Sequence, residues 1–205
     1  MANVFPAASR EDLSVTWTNS LTVDSQAQGI APDGTNTMNR VIDNGDTLTG
    51  VMYMRHDLVH PTHDQYTFAM FFESAVLSQV AIQNVGFDNQ DSSNFDLIAK
   101  TAVKGVNHDA AAIVNYGNGL FRCSITFTTT TDKNGHYRIY PGEILPSLNV
   151  ERDGTKDILM WGASLNTGAE AEPYTSQFGT LIEPLVLGGR TGPSLAFGGM
   201  GKMGA

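Results

Sequence analysis

The densest run of ligand-type side chains is RHDLVHPTHD, residues 55–64, which sets His56, His60 and His63 beside Asp57 and Asp64. Three imidazoles and a carboxylate are a donor set for zinc or nickel. The i, i+4, i+7 spacing suits one face of a helix, but Pro61 breaks a helix there. The segment is therefore read as a polar loop beside a strand. His56, His60 and His63 stay as metal candidates without an assigned site, and no cofactor is expected. An ion shared on a threefold axis would need only one of these histidines from each chain.

Other reactive types are scattered. Glu11 with Asp12, Glu151 with Asp153, and Glu170 with Glu172 are carboxylate pairs of the kind glycosidases use. Each sits in a turn-like or edge-like context and is read as solvated surface. No G-x-S-x-G, H-E-x-x-H or Walker-type loop occurs. Cys123 is the one cysteine, and its place in an alternating run makes it a small core residue rather than a nucleophile. No catalytic residue is assigned, and no enzymatic activity is expected.

Trp17, Tyr53, Tyr66, Phe87, Tyr116, Tyr137, Tyr140, Trp161 and Tyr174 are the remaining candidates, because sugars stack their C–H faces on flat exposed rings. Trp161, in ILMWGA, is assigned to the core, as is Tyr137, which shares a strand face with Ile139. His136, Arg138 and Tyr140 share the opposite face and are the candidate ligand-binding residues.

The elements that must position these groups are strands. Residues 119–141, GLFRCSITFTTTTDKNGHYRIYP, alternate Phe121, Cys123, Ile125 and Phe127 with Arg122, Ser124, Thr126 and Thr128. This predicts a half-buried strand, a turn at Asp132–Gly135, and HYRIY as its hairpin partner, ended by Pro141. YTFAMFFE, 66–73, predicts a strand buried on both faces. LSQVAIQNVGF, 77–87, follows with Val80, Ile82 and Val85 inward, and then DNQDSSN, 88–94, as a polar loop. Leu13, Val15 and Trp17 alternate as a first strand, and DILMWGASL, 157–165, is the last. Pro32-Asp33-Gly34 and Asn44-Gly45 mark turns. Many short strands with turn signals between them predict an all-β fold, an antiparallel β-sandwich of jelly-roll type.

Composition narrows the partners. The chain of 205 residues carries 16% charged residues and a formal net charge of -9, which excludes a phosphate-neutralising nucleic-acid binder and an anionic membrane surface. A single cysteine suits synthesis in a reducing cytoplasm. No secretory signal and no membrane-spanning apolar run is read.

Three segments in order carry a family resemblance. WTNSLTVDSQAQGIAPDGTNTMNRVID, NGLFRCSITFTTTT with HYRIYP, and DGTKDILMWGASLNTGAEAEPYTSQFGT together resemble a jelly-roll, carbohydrate-binding-module-like family of bacteriophage virion surface proteins. That family occurs in tail fibres, tail spikes and other appendages. The resemblance spans roughly residues 12–180. It departs at Leu120, where the family has an aromatic, and at Ser164-Leu165-Asn166, where it has Q-L-E. It implies a β-sandwich on the particle exterior, often a homotrimer, made in the bacterial host cytoplasm. The expected function is a structural tail-fibre or tail-appendage component that contacts host surface glycans. A capsid decoration protein or head fibre is the alternative, and a polysaccharide-degrading enzyme the second alternative.

The organisation expected is an N-terminal arm, 1–11, the sandwich, 12–180, and a glycine-rich C-terminal tail, 181–205. Glycine-rich chain loses much entropy on ordering, so the tail is read as docking on other virion proteins through Leu195, Phe197, Lys202 and Met203.

Overall fold

The computed structural model describes residues 10–60, 64–87, 89–130, 133–142, 147, 149–176 and 180–184. The chain is all-β and antiparallel, apart from short helical turns within residues 10–16. The strands in chain order are β1 (Thr18–Ser20), β2 (Thr22–Ser25), β3 (Asn39–Asp43), β4 (Thr49–Val51), β5 (Tyr53–His60), β6 (Gln65–Ser74), β7 (Gln79–Val85) and β8 (Asp91–Asp96). They continue with β9 (Thr101–Val103), β10 (Ala110–Gly117), β11 (Leu120–Thr128), β12 (Lys133–Gly142), β13 (Asn149–Glu151), β14 (Asp157–Thr167), β15 (Tyr174–Thr175) and β16 (Leu181–Ile182).

Two six-stranded sheets form a sandwich, the first in the order β1-β5-β12-β7-β8-β9 and the second in the order β10-β11-β6-β14-β3-β2. Between them lies a core that includes Met54, Val80, Ile82, Phe95 and Ile139 from the first sheet and Phe68, Phe72, Cys123, Ile125, Phe127 and Leu165 from the second. Phe68 stacks on Tyr137 across the two sheets, with ring centroids 4.4 Å apart. Burying each such ring stabilises the fold by about 1.5–3 kcal/mol.

A second apolar cluster covers the outer side of the second sheet. Phe71, Trp161, Met38, Leu120, Tyr174 and Ile182 pack there, so Tyr66 through Phe72 are buried on both faces as their sequence requires. A bulge at Gly162 resets the alternation of β14. Trp161 pairs with Phe71 on the outer face, and the regular register resumes at Ser164 opposite Ala69. Gly162 has φ 67, and a Cβ there would sit 2.9 Å from the Phe71 ring.

Several expectations are corrected. The strand holding Phe121 and Phe127 and the strand HYRIY are not a hairpin: β11 pairs with β10 and β6, whereas β12 pairs with β5 and β7 in the other sheet. Asn134-Gly135 lies inside β12, because the Phe87 ring occupies the space above Gly135. Pro141 ends only one edge: pairing with β5 stops at Ile139, while pairing with β7 runs to Gly142. β11 is buried on both faces, since Arg122 donates to the Glu172 carbonyl and Thr126 to the Ala169 carbonyl of the segment that covers it.

DNQDSSN is largely strand β8, and its inward Ser93 is a polar residue in a core position, which disguises the alternation. Asn84 rather than Val85 points inward on β7, for the same reason. Leu13 and Trp17 are buried as an i, i+4 pair on a helical turn, capped by the Asp12 carboxylate accepting from the Ser14 N–H at 2.9 Å. Glu11 is buried, not solvated, and its carboxylate accepts a hydrogen bond from the Tyr174 hydroxyl at 3.0 Å.

Candidate functional site

The strongest constellation lies on the outer face of the first sheet. Alternation on β12 turns Tyr137 and Ile139 into the core and leaves His136, Arg138 and Tyr140 half-buried outside. Register then decides their neighbours. Arg138 is opposite Arg55 on β5 and Gln83 on β7, and His136 is opposite Asp57. The three residues picked out from the sequence are thus brought together with Tyr53, Arg55, Asp57 and Gln83.

The two tyrosine rings flank the arginine. Tyr53 and Tyr140 have centroids 5.4 Å apart at an interplanar angle of 56°. The Arg138 guanidinium carbon lies 5.0 Å from the Tyr53 centroid, a cation–π contact. Arg138 Nη1 donates to the Tyr140 hydroxyl at 3.3 Å, and that hydroxyl donates to Gln83 Oε1 at 2.8 Å. Arg55 clamps Asp57 from Nε at 2.9 Å and from Nη2 at 2.6 Å. His136 Nδ1 is 3.8 Å from the same Asp57 oxygen. Burial, reinforced by Arg55 and Arg138 and opposed by Asp57, holds the His136 imidazole below its ordinary pKa.

Two polar atoms on this face, Arg138 Nε and His136 Nε2, are buried without a hydrogen-bond partner. Fixed tyrosine rings beside unspent polar groups are what a sugar requires: rings for its C–H face and hydrogen-bonding groups for its hydroxyls. In the sequence Tyr53 is a sugar-stacking candidate and Asp57 a metal-ligand candidate, but neither is placed beside HYRIY, and Arg55 and Gln83 carry no functional reading. The alternation of residues 53, 55 and 57 was available as a signal, but nothing local says that this strand lies beside HYRIY.

The metal candidates separate. His56 points inward, away from Asp57: its Nε2 lies 3.0 Å from the Thr16 hydroxyl and its ring packs edge-on against Trp17 at 5.2 Å. Burial lowers its pKa, against the pull of Asp57. His63 and the side chain of His60 lie outside the described residues. Among the described residues, no three His, Cys, Asp or Glu side chains gather as a metal site. The proposed docking anchors Leu195, Phe197, Lys202 and Met203 also lie outside the described residues. No helix among the described residues is long and apolar enough to cross a membrane.

A second feature is a groove of about 610 Å³ on the outer side of the second sheet, lined by Tyr116, Leu120, Leu159, Ile182, Glu73 and Glu183 among others. Burial pushes the Glu73 carboxyl above the usual carboxylate range.

No family model matches the chain, and no curated protein matches it. A solved structure is similar. It is the crystal structure titled as the enzymatically active domain of tailspike protein 4 of bacteriophage CBA120, with a TM-score of 0.48 and 6% identity. The match covers 80% of this chain and 21% of that one, so the chain spans about a fifth of its length. The expectation of no enzymatic activity stands against that title, which names an enzymatically active domain.

Proposed function

We propose that the chain is a carbohydrate-contacting module on the exterior of a tailed-phage virion, a tail-fibre or tail-appendage component. The observation that carries the contact is the outer face of the first sheet, where Tyr53 and Tyr140 flank Arg138 and two buried polar atoms await partners. The virion setting rests on the resemblance carried by the three ordered segments. A homotrimer repeated on the particle would multiply a weak, shallow site by avidity. Its partners are host surface glycans and the neighbouring virion proteins. Imaging virions with an antibody fragment against the chain tests the setting. Label on tail appendages is expected. A full shell of hundreds of copies would favour a capsid decoration protein instead, and an unlabelled particle would remove the virion setting.

One observation favours a second reading, hydrolysis of a glycan. Glu73 is a half-buried carboxyl with a raised pKa in the 610 Å³ groove that Glu183 also lines. Glycoside hydrolysis uses a carboxyl with a raised pKa together with a second carboxylate, and this groove holds one of each type in its lining. Incubating host polysaccharide with the chain and with its Glu73→Gln variant tests it. Shortened chains that disappear with the variant support hydrolysis, and intact polysaccharide in both removes it.

A further inference from the structure

A pocket of about 130 Å³ opens on the second sheet, the sheet that does not carry the tyrosine face, and is lined by Arg10, Arg122, Ser164, Asn166, Glu172 and Tyr174 among others. Arg122 is only 4% exposed. Its Nη2 donates to the Ser164 hydroxyl at 2.8 Å and its Nη1 to the Glu172 carbonyl at 2.6 Å. Its guanidinium carbon lies 5.4 Å from the Phe71 centroid and 5.9 Å from that of Tyr174. All of these partners are uncharged.

A buried guanidinium is normally matched by a carboxylate, because its desolvation is otherwise uncompensated. Among the described residues neither Arg122 nor Arg10 forms an ion pair. The Nε atoms of both are buried without a hydrogen-bond partner. The neutral groups of the pocket are already committed. Ser164 donates to the Ala69 carbonyl, Asn166 donates to the Glu170 carbonyl and accepts from the Glu172 N–H, and Tyr174 donates to Glu11. Among the described residues no carboxylate of the pocket is paired with either guanidinium. Its two guanidiniums stand against the one carboxylate of Glu172, so the lining is positive in a chain whose net charge is -9. Guanidinium forks match planar carboxylates and phosphates.

We propose that this pocket is an anion subsite that takes one carboxylate or phosphate group of an acidic sugar, with Arg10 and Arg122 as its charged donors. The sugar as carrier rests on the carbohydrate reading above; the anion chemistry does not. Its size admits one compact group rather than a chain of sugar rings.

The test is the thermal stability of the full chain, and its titration by NMR, with glucuronate, glucose 6-phosphate and neutral glucose. A ligand that binds the folded chain raises its midpoint. Glucuronate or glucose 6-phosphate is expected to bind where glucose does not, and whichever binds identifies carboxylate or phosphate as the preferred group. Arg10→Gln is expected to weaken that binding about tenfold, the loss of one charge-assisted hydrogen bond. Arg122→Lys should weaken it as well. If that buried variant does not fold, Arg10→Gln decides, since Arg10 is half-exposed. Inorganic phosphate, which carries the anion without a sugar, should give a response that Arg10→Gln weakens, and that outcome is independent of whether the tyrosine face binds glycan. No response beyond that to glucose, or a response that survives Arg10→Gln, overturns the proposal.

Discussion

The Arg138 guanidinium lies 5.0 Å from the centre of the Tyr53 ring and, through Nη1, 3.3 Å from the Tyr140 hydroxyl, so one side chain ties both rings to the outer face of the first sheet. Those rings are held before any sugar arrives, which reduces the ordering cost of binding. Arg138→Ala is expected to weaken glycan binding severalfold by calorimetry while leaving the fold intact. A half-exposed cation–π contact contributes only about 0.5–1 kcal/mol to stability. Unchanged affinity would mean that the rings do not depend on the arginine.

Gly135 has no room for a side chain. A Cβ there would fall 2.2 Å from the Phe87 ring, which is itself 5.7 Å from Phe127 and 5.9 Å from Tyr137 between centroids. Gly135→Ala should destabilise the chain by about 1–3 kcal/mol, the usual cost of overpacking a core. Shrinking the ring with Phe87→Leu should restore part of that loss in the double variant, measured by chemical denaturation. Simple addition of the two single losses would show that the contact is not the cause.

His108 is a buried histidine with both ring nitrogens engaged, Nδ1 at 2.6 Å from the Ser93 hydroxyl and Nε2 at 2.9 Å from Asn84 Oδ1. A serine, a histidine and an asparagine in line look like catalytic parts. Yet Ser93 and Asn84 are fully buried, so the network ties β8 and β7 to the 104–109 loop instead. Burial depresses the His108 pKa, aided by Lys104 and opposed by Asp91 and Asp109, and burial depresses those of His56 and His136 as well.

The sign of the pH dependence follows. Each folded pKa lies below the unfolded value of about 6.5, so the unfolded chain takes up protons first. The stabilisation is complete above about pH 6.5 and is lost as pH falls from there through the folded values, before most carboxylates titrate near 4. Unfolding free energy measured against pH should fall in that window. His108→Gln should flatten the fall and cost about 1–3 kcal/mol at neutral pH through the hydrogen bonds it breaks. An unchanged acid limb in the variant would mean that His108 does not titrate on unfolding.

Cys123 is fully buried in the sandwich core, and burial raises its thiol pKa well above the ordinary value. A thiol reagent should not modify the native chain and should modify one thiol once denaturant unfolds it. Rapid labelling of the native chain would show that the core opens locally.

Sequence patterning exposed some of this and hid the rest for identifiable reasons. Phe121, Cys123, Ile125 and Phe127 announce their strand because apolar residues fill every inward position. Ser93 and Asn84 conceal theirs because inward polar residues are satisfied by His108, a partner distant in sequence. Tyr140 and Arg138 were legible as neighbours on one face, since parity on a single strand is local. Tyr53 and Gln83 were not, because sheet register is a long-range property and β5 and β7 reach β12 from distant parts of the chain. Asn134-Gly135 misled because the same dipeptide that makes a turn also clears space for a ring.

The most direct test of the account is the binding of host surface polysaccharide by the chain and by its Tyr53→Ala, Tyr140→Ala double variant, with the melting midpoint of each recorded alongside. Both rings lie outside the core, so the double variant should keep its midpoint within a few degrees of the parent and bind the glycan at least about tenfold more weakly. Undiminished binding by a folded double variant would contradict the assignment of the tyrosine face as the glycan-contact site.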